Sequence, residues 1–166
     1  MILNGTVNVK KKLIIEAMQT YIFKSYVFRT KSVVRNIEVP ASTNLYKFAE
    51  AIIAAYGFYF DHCFGFFSTI AETRYFDSDR KYELFTDLIE EGDDIEPTGA
   101  GSVKKTKVSD VWKNVGEKML FLFDYGDNWP FVVELIGFGV KDPKAKYPRV
   151  VKRVGKAPEQ YPDVEE

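Results

Sequence analysis

Residues that build metal centres and disulfides are almost missing from this chain: of 166 residues, one is cysteine and one histidine. A lone Cys63 has no partner for an intramolecular disulfide, and one thiol with one imidazole cannot supply the four nitrogen and sulfur ligands of a structural zinc site. Charge of one sign is also lacking. With a formal net charge of -1 no global cationic field gathers phosphates, so nucleic-acid contact would need a local patch, and no strong duplex DNA binding is expected. Long hydrophobic runs are absent too. The longest, "AIIAAYGFYF" (51–60), is about half of what a bilayer-crossing helix needs, and "MILNGTVNVKKKLIIEA" lacks the apolar stretch of a secretory signal. No membrane partner is expected, and the expected compartment is the cytoplasm. There is no G-x-S-x-G elbow. "GAGSVKK" lacks the G-K-[ST] ending of a phosphate loop, and the acidic stretch 87–96 lacks the alternate-residue spacing of a calcium loop. His62 and Cys63 are neighbours on a predicted strand, where successive side chains point to opposite faces, so they cannot act as a base with its nucleophile. No cofactor is expected.

What is present is apolar and aromatic surface, 46% hydrophobic and 16% aromatic. A chain of this length can bury roughly two-thirds of its unfolded surface, which suits one domain over residues 1–166. Aromatic and β-branched residues in 20–30 and the alternation of Val33, Arg35, Ile37 and Val39 predict two neighbouring strands, 20–30 and 33–39, with Pro40 as the stop. Leu45, Phe48, Ala49, Ile52, Ile53 and Tyr56 recur at helical spacing, so a helix is expected over 43–56, capped by Ser42 or Thr43 and closed by Gly57. Further strands are expected at 62–70, 118–124 and 129–140, and a second helix over 80–92. Residues 97–107 read as a solvated linker, and Ser109 as the cap of a short helix. Residues 1–17 read as an extension or edge strand, and 141–166 as an extended C-terminal strap. The class is α+β: a largely antiparallel sheet with one long helix packed across it and one or two shorter helices.

The stretch "FLFDYGDNWPFVVEL" (121–135) places Asp124, Asp127 and Trp129 around Gly126. Gly126-Asp127 reads as the centre of a type II′ hairpin turn, in which the glycine takes the positive φ. Asp124 closes a bulky apolar strand, where a carboxylate needs a partner, and the indole offers a flat surface with one donor. The residue types leave open whether this is a turn or a site. They also leave open whether His62 is a satisfied structural imidazole or a general base or ligand-binding group.

"VVRNIEVPASTNLYKFAEAIIAAYGFYFDHCFGF", "VSDVWKNVGEKMLFLFDYGDNWPFVVEL" and "YPRVVKRVGKAPEQYP" together resemble the Ri-plasmid ORF-three-like family, small proteins of plasmids, transposons and many bacterial and archaeal genomes. The match runs from about Tyr21 to near the C-terminus. It implies an α+β domain associated with mobile elements, and its motif falls on Arg35, His62, Asp124, Gly126, Asp127, Trp129, Tyr147, Pro148, Pro158 and Glu159. Two places depart from the pattern: Val34-Arg35 replaces the usual Trp-Arg pair, and "YPDVEE" replaces an acidic-glycine ending. The expected site comprises Arg35, His62, Asp124, Asp127, Trp129, Arg149 and Glu159, with Gly126 as the structural turn. Asp124 is expected to be anchored by Arg35, His62 or Arg149, and Asp127 to be the freer group. The leading expectation is a binding or regulatory module with an unknown protein or small-molecule partner. The alternatives are a hydrolase using Asp124, Asp127 and His62 with a hard divalent cation, and a nucleic-acid accessory protein using the Lys-Arg tail.

Overall fold

The computed structural model describes residues 2–163. Helix α1 (Ile2–Met18) leads into β1 (Gln19–Val27) and β2 (Thr30–Pro40), then α2 (Leu45–Ala55), β3 (Phe64–Phe67), β4 (Lys81–Glu83), α3 (Leu84–Glu90), α4 (Val108–Val111), β5 (Lys118–Phe123), β6 (Trp129–Val140) and β7 (Arg149–Val154). The strands form one seven-stranded sheet of order β4-β3-β5-β6-β1-β2-β7. Every neighbouring pair is antiparallel. Because direction alternates at each step, β2 and β3 run the same way with β1, β6 and β5 between them. Helix α2 therefore bridges distant strands, and makes no crossover between parallel neighbours.

Alternation along the strands decides what α2 covers. Phe23, Ile37, Phe66, Phe121, Phe131 and Leu135 are buried on one face, beneath Leu45, Phe48, Ala49, Ile52 and Ile53 of the helix. The Phe23 and Phe48 rings lie 4.5 Å apart. Trp112, just after α4, is fully buried and meets Phe23 edge-on at 4.9 Å. A smaller cluster of Phe67, Leu120 and Leu122 forms on the opposite face beneath Phe28, Ile70, Tyr75 and Tyr125.

Several expectations are corrected. Residues 2–18 form a helix, not an edge strand, and its Val7, Val9, Leu13, Ile14 and Ile15 are exposed. The helix laid across the sheet has 11 residues and is capped by Asn44, whose side chain accepts from the Lys47 amide at 2.8 Å; neither Ser42 nor Thr43 caps it. Gly57 does take the positive φ, +71°, of a helix terminator. The strand at 62–70 shortens to 64–67, and the helix at 80–92 divides into β4 and α3. Nor does Ser109 cap α4: Asp110 accepts from the Lys107 amide at 2.9 Å. Residues 97–107 are largely exposed, as a solvated linker would be, but are tied to the body at Ser102 and Val103. Asp87, itself buried, accepts from Ser102 Oγ at 2.5 Å and from the Val103 amide at 3.0 Å, and Val103 is fully buried. The C-terminal segment is partly a strand: β7 pairs with β2 and forms an edge of the sheet. Among the described residues no helix is long and apolar enough to cross a membrane.

Candidate functional site

Three chain segments meet where β5 ends. Helix α2 stops at Gly57, and the chain runs through aromatic residues to Asp61 and His62 before entering β3. The Asp124 amide donates to the Cys63 carbonyl at 2.9 Å, so the β3–β5 ladder holds the Asp61-His62 loop beside the β5–β6 turn. Gln160 supplies the third segment. This buried side chain accepts from the Tyr59 amide at 2.7 Å and donates to the Tyr59 carbonyl at 3.1 Å, bringing Tyr161 onto the loop.

Asp124 is 4% exposed. Its Oδ1 accepts from the amides of Gly126 and Asp127 at 3.0 and 3.1 Å, while Oδ2 lies 3.5 Å from His62 Nδ1. The turn corrects the type II′ expectation. The Asn128 amide donates to the Asp124 carbonyl at 2.7 Å, and the positive φ values belong to Asp124 (+64°) and Asn128 (+60°). Gly126 is not among the positive-φ residues. Asp and Asn accept the left-handed region better than most residues because a short polar side chain can bond locally, as Asp124 does here.

His62 is the centre of the cluster. Its Nδ1 contacts Asp61 Oδ1 at 2.7 Å, with Asp124 Oδ2 more distant, and its side chain is 42% exposed. Tyr161 donates to Asp61 Oδ2 at 2.8 Å. With Nδ1 hydrogen directed at Asp61, the neutral ring presents its Nε2 lone pair, and among the described residues Nε2 has no hydrogen-bond partner. The Asp61 hydrogen bond, opposed in part by desolvation and supported by Asp124 and Asp127, raises the His62 pKa above 6.5. Asp61 is lowered: desolvation works against this, but the His62 and Tyr161 hydrogen bonds prevail. The Tyr161 hydroxyl is pushed up to about 12, first by desolvation and then by its bond to Asp61.

These directions predict a pH signature. A raised folded pKa means that the imidazolium stabilises the fold; this contribution is fully present below pH 6.5 and is lost as pH rises through the folded value. The lowered Asp61 contributes stability above pH 3.8 that is lost as pH falls through its folded value. Between about pH 5.5 and pH 8 the urea midpoint of the native chain should fall by more than that of His62→Gln, which lacks the titrating ring. Parallel profiles would show that His62 is uncoupled from Asp61, Asp124 and Asp127.

The other expected site residues are distributed differently. Trp129 packs edge-on against Phe58 at 4.8 Å, and its Nε1 is buried without an acceptor among the described residues. With Asp127, Arg29 and Pro158 it lines a recess of about 260 Å³. Asp127 is exposed, and Glu159 is exposed with no hydrogen bond or ion pair among the described residues. Arg35 and Arg149 do not anchor Asp124. Arg35 caps carbonyls of Ala55, Val34, Val154 and Gly155, whereas Arg149 pairs with the buried Glu38 at 2.8 Å. Of the three expected donors, only His62 approaches Asp124. The residues the sequence reading missed are Asp61, Gln160 and Tyr161. Asp61 stood in the "DH" and the other two in the "APEQY" of the resemblance, but no spacing rule joins segments about a hundred residues apart.

Among the described residues no three His, Cys, Asp or Glu side chains are grouped to hold a metal ion, so the divalent-cation alternative finds no ligand set here. The Cys63 thiol is pushed up by burial first and by Asp93 and Glu83 next, which keeps it protonated and a poor nucleophile.

No curated protein sequence matches the chain. A crystal structure of a protein of unknown function, MM3350 from Methanosarcina mazei Go1, is similar in fold, with a TM-score of 0.65 at 22% identity over 84% of this chain and 71% of that one. The family model described as plasmid pRiA4b ORF-3-like protein matches residues 27–164, which include strands β2 to β7, the last residue of β1 and all of the Asp61-His62-Asp124-Tyr161 cluster. The chain belongs to the plasmid pRiA4b ORF-3-like protein family.

Proposed function

We propose that the chain is a binding module that receives a cationic group of a protein partner, an ammonium or guanidinium, at the mouth formed by Asp61, Asp124, Asp127 and His62. The observation that carries this reading is the contact of two carboxylates, Asp61 and Asp124, with one imidazole whose outer nitrogen is open, the exposed Asp127 standing on the adjoining turn. Exposed ion pairs contribute about 0.2–1 kcal/mol each. Two of them, at Asp61 and Asp127, therefore reach at most about 2 kcal/mol, short of the millimolar limit of about 4 kcal/mol, and Asp124 is buried beneath them. A bare amine would bind too weakly to be useful; a basic peptide that also covers Tyr161 or the Trp129 recess adds apolar contact. This favours a partner segment over a small cation. A cytoplasmic setting and an association with mobile elements are part of the same reading and rest on the family resemblance and the lone cysteine.

Anisotropy with a labelled tetra-arginine peptide tests the proposal. Binding on the order of 100 μM at low salt is expected, with no binding of a tetra-glutamate peptide and about a two- to fivefold loss in Asp127→Asn, whose exposed side chain carries no fold contact. Equal affinity for both peptides, or native affinity in Asp127→Asn, would refute it.

One observation favours a second reading. A carboxylate-held Nδ1 with an open Nε2 is the arrangement of a general base, and turnover of a labile ester lost in His62→Gln but kept in Cys63→Ala would support it.

A further inference from the structure

A groove of about 440 Å³ runs between α2 and the β2–β7 edge of the sheet and shares no lining residue with the acidic mouth. Its floor is aliphatic, from Ile37, Ala51, Ala54 and Val150, and its rim carries Lys47, Arg149 and Arg153 with one acid, Glu50. The volume lies in the range of small-molecule pockets.

The ion pairs show which of these charges are already answered. Lys47 pairs with Glu50 at 3.4 Å, and Arg149 with Glu38 at 2.8 Å. The Arg153 side chain has no hydrogen bond or ion pair among the described residues. Arg35 stands directly opposite it in the β2–β7 register and is only 6% exposed, yet no carboxylate meets it. Its Nε donates to Ala55 O at 3.0 Å and its Nη1 to Val34, Val154 and Gly155 carbonyls; Nη2 makes no hydrogen bond among the described residues. The Tyr56 ring at 5.3 Å gives the guanidinium a face to rest on, not a counter-charge. Like charges directly opposite each other on one face of an antiparallel pair repel. An exposed guanidinium without a counter-charge on the wall of an apolar groove, with a second, nine-tenths buried cation facing it across the strand register, makes a site that a planar or tetrahedral oxyanion would complete.

We propose that this groove binds an amphipathic anion: a carboxylate or phosphate head at Arg153, in the positive field of Arg35 on the facing strand, with a short aliphatic or aromatic body along Ala51, Ala54 and Val150. Helix α2 ends here with its partially negative C-terminus, and Arg35 already answers that through the Ala55 carbonyl. The charge left for a ligand is chiefly that of Arg153, which is exposed and free to close on it.

Amide chemical-shift titrations with decanoate and with decyl phosphate test the proposal, with acetate and decylamine as controls. Decanoate, decyl phosphate or both should shift residues 51–55 and 150–153, and which of them binds more tightly identifies the head group. Acetate should bind at least about tenfold more weakly for want of a body, and decylamine likewise for its wrong charge. Arg153→Glu should weaken the tighter anion by about tenfold or more, and Ala51→Phe, which fills the groove from the exposed side of α2, should weaken it through shape alone. Asp127→Asn, which does not line the groove, should leave this binding unchanged, so failure of the cationic-partner reading and failure of this one are separately visible. Shifts confined to other residues, decylamine binding as tightly as the anions, or native affinity in Arg153→Glu would overturn the assignment.

Discussion

Alanine in place of Trp112 is expected to lower the melting temperature by about 6–20 °C. The indole is fully buried and lies edge-on to Phe23, Phe48 and Phe66, with centroids 4.9, 5.7 and 6.1 Å away. It therefore joins β1, α2 and β3 at one point. Removing a buried tryptophan costs roughly 3–5 kcal/mol, and a chain of this size loses about 2–4 °C for each kcal/mol. Trp112→Phe should cost much less, because Nε1 is buried without a partner among the described residues and the ring that replaces it has no donor to leave unsatisfied. Thermal melts of both variants give the comparison. An alanine variant within about 1 °C of the native chain would mean that the helix does not rest on the sheet through this residue.

Asp124→Ala is expected to cost roughly 1–3 kcal/mol, since two turn amides lose their acceptor and alanine must then hold φ at +64°. Asp124→Asn separates the turn from the charge. Its Oδ1 still accepts from both amides and asparagine tolerates the left-handed region, so its melting temperature should lie much nearer the native value. Asp127→Ala should change stability by no more than about 0.5 kcal/mol, because its side chain is exposed and makes no bond that the turn needs. Equal losses for Asp124→Ala and Asp127→Ala would reduce the motif to a solvated turn.

The contrast between these two aspartates was legible in the sequence, since a carboxylate ending a bulky apolar strand must find a partner. The nature of the partner was not. Main-chain amides two and three residues away satisfy Asp124 Oδ1, and main-chain donors leave no mark in side-chain spacing. Strands β1 and β2 were readable because each buries one face against α2 and so alternates, and β5 and β6 because each carries an apolar run of strand length that is buried on both faces. The edge strand β7 carries mostly exposed residues in the order "RVVKRV" and so lacks a buried face to impose a period. Strand β4 is three residues long and runs straight into α3, so its pattern merged with the helix. Helix α2 was plain from its apolar stripe, but its cap fell on Asn44 because Thr43 and Ala41 carbonyls are occupied by the Val108 and Ser109 amides, a tertiary arrangement that no local rule contains. The same holds for Tyr161. It reaches Asp61 only because Gln160 bonds both backbone groups of Tyr59.

The central claim is that the Asp61-His62-Asp124 cluster receives a cation, and the chain's single histidine allows a direct test. A cation seated among these carboxylates competes with the imidazolium, so the binding and protonation of His62 must oppose each other. NMR titration of the His62 ring, with and without saturating tetra-arginine peptide, measures this. The account predicts a free pKa above 6.5 that falls when the peptide binds, together with peptide affinity that tightens as pH rises through the free value. A His62 resonance that titrates identically with and without bound peptide would contradict it.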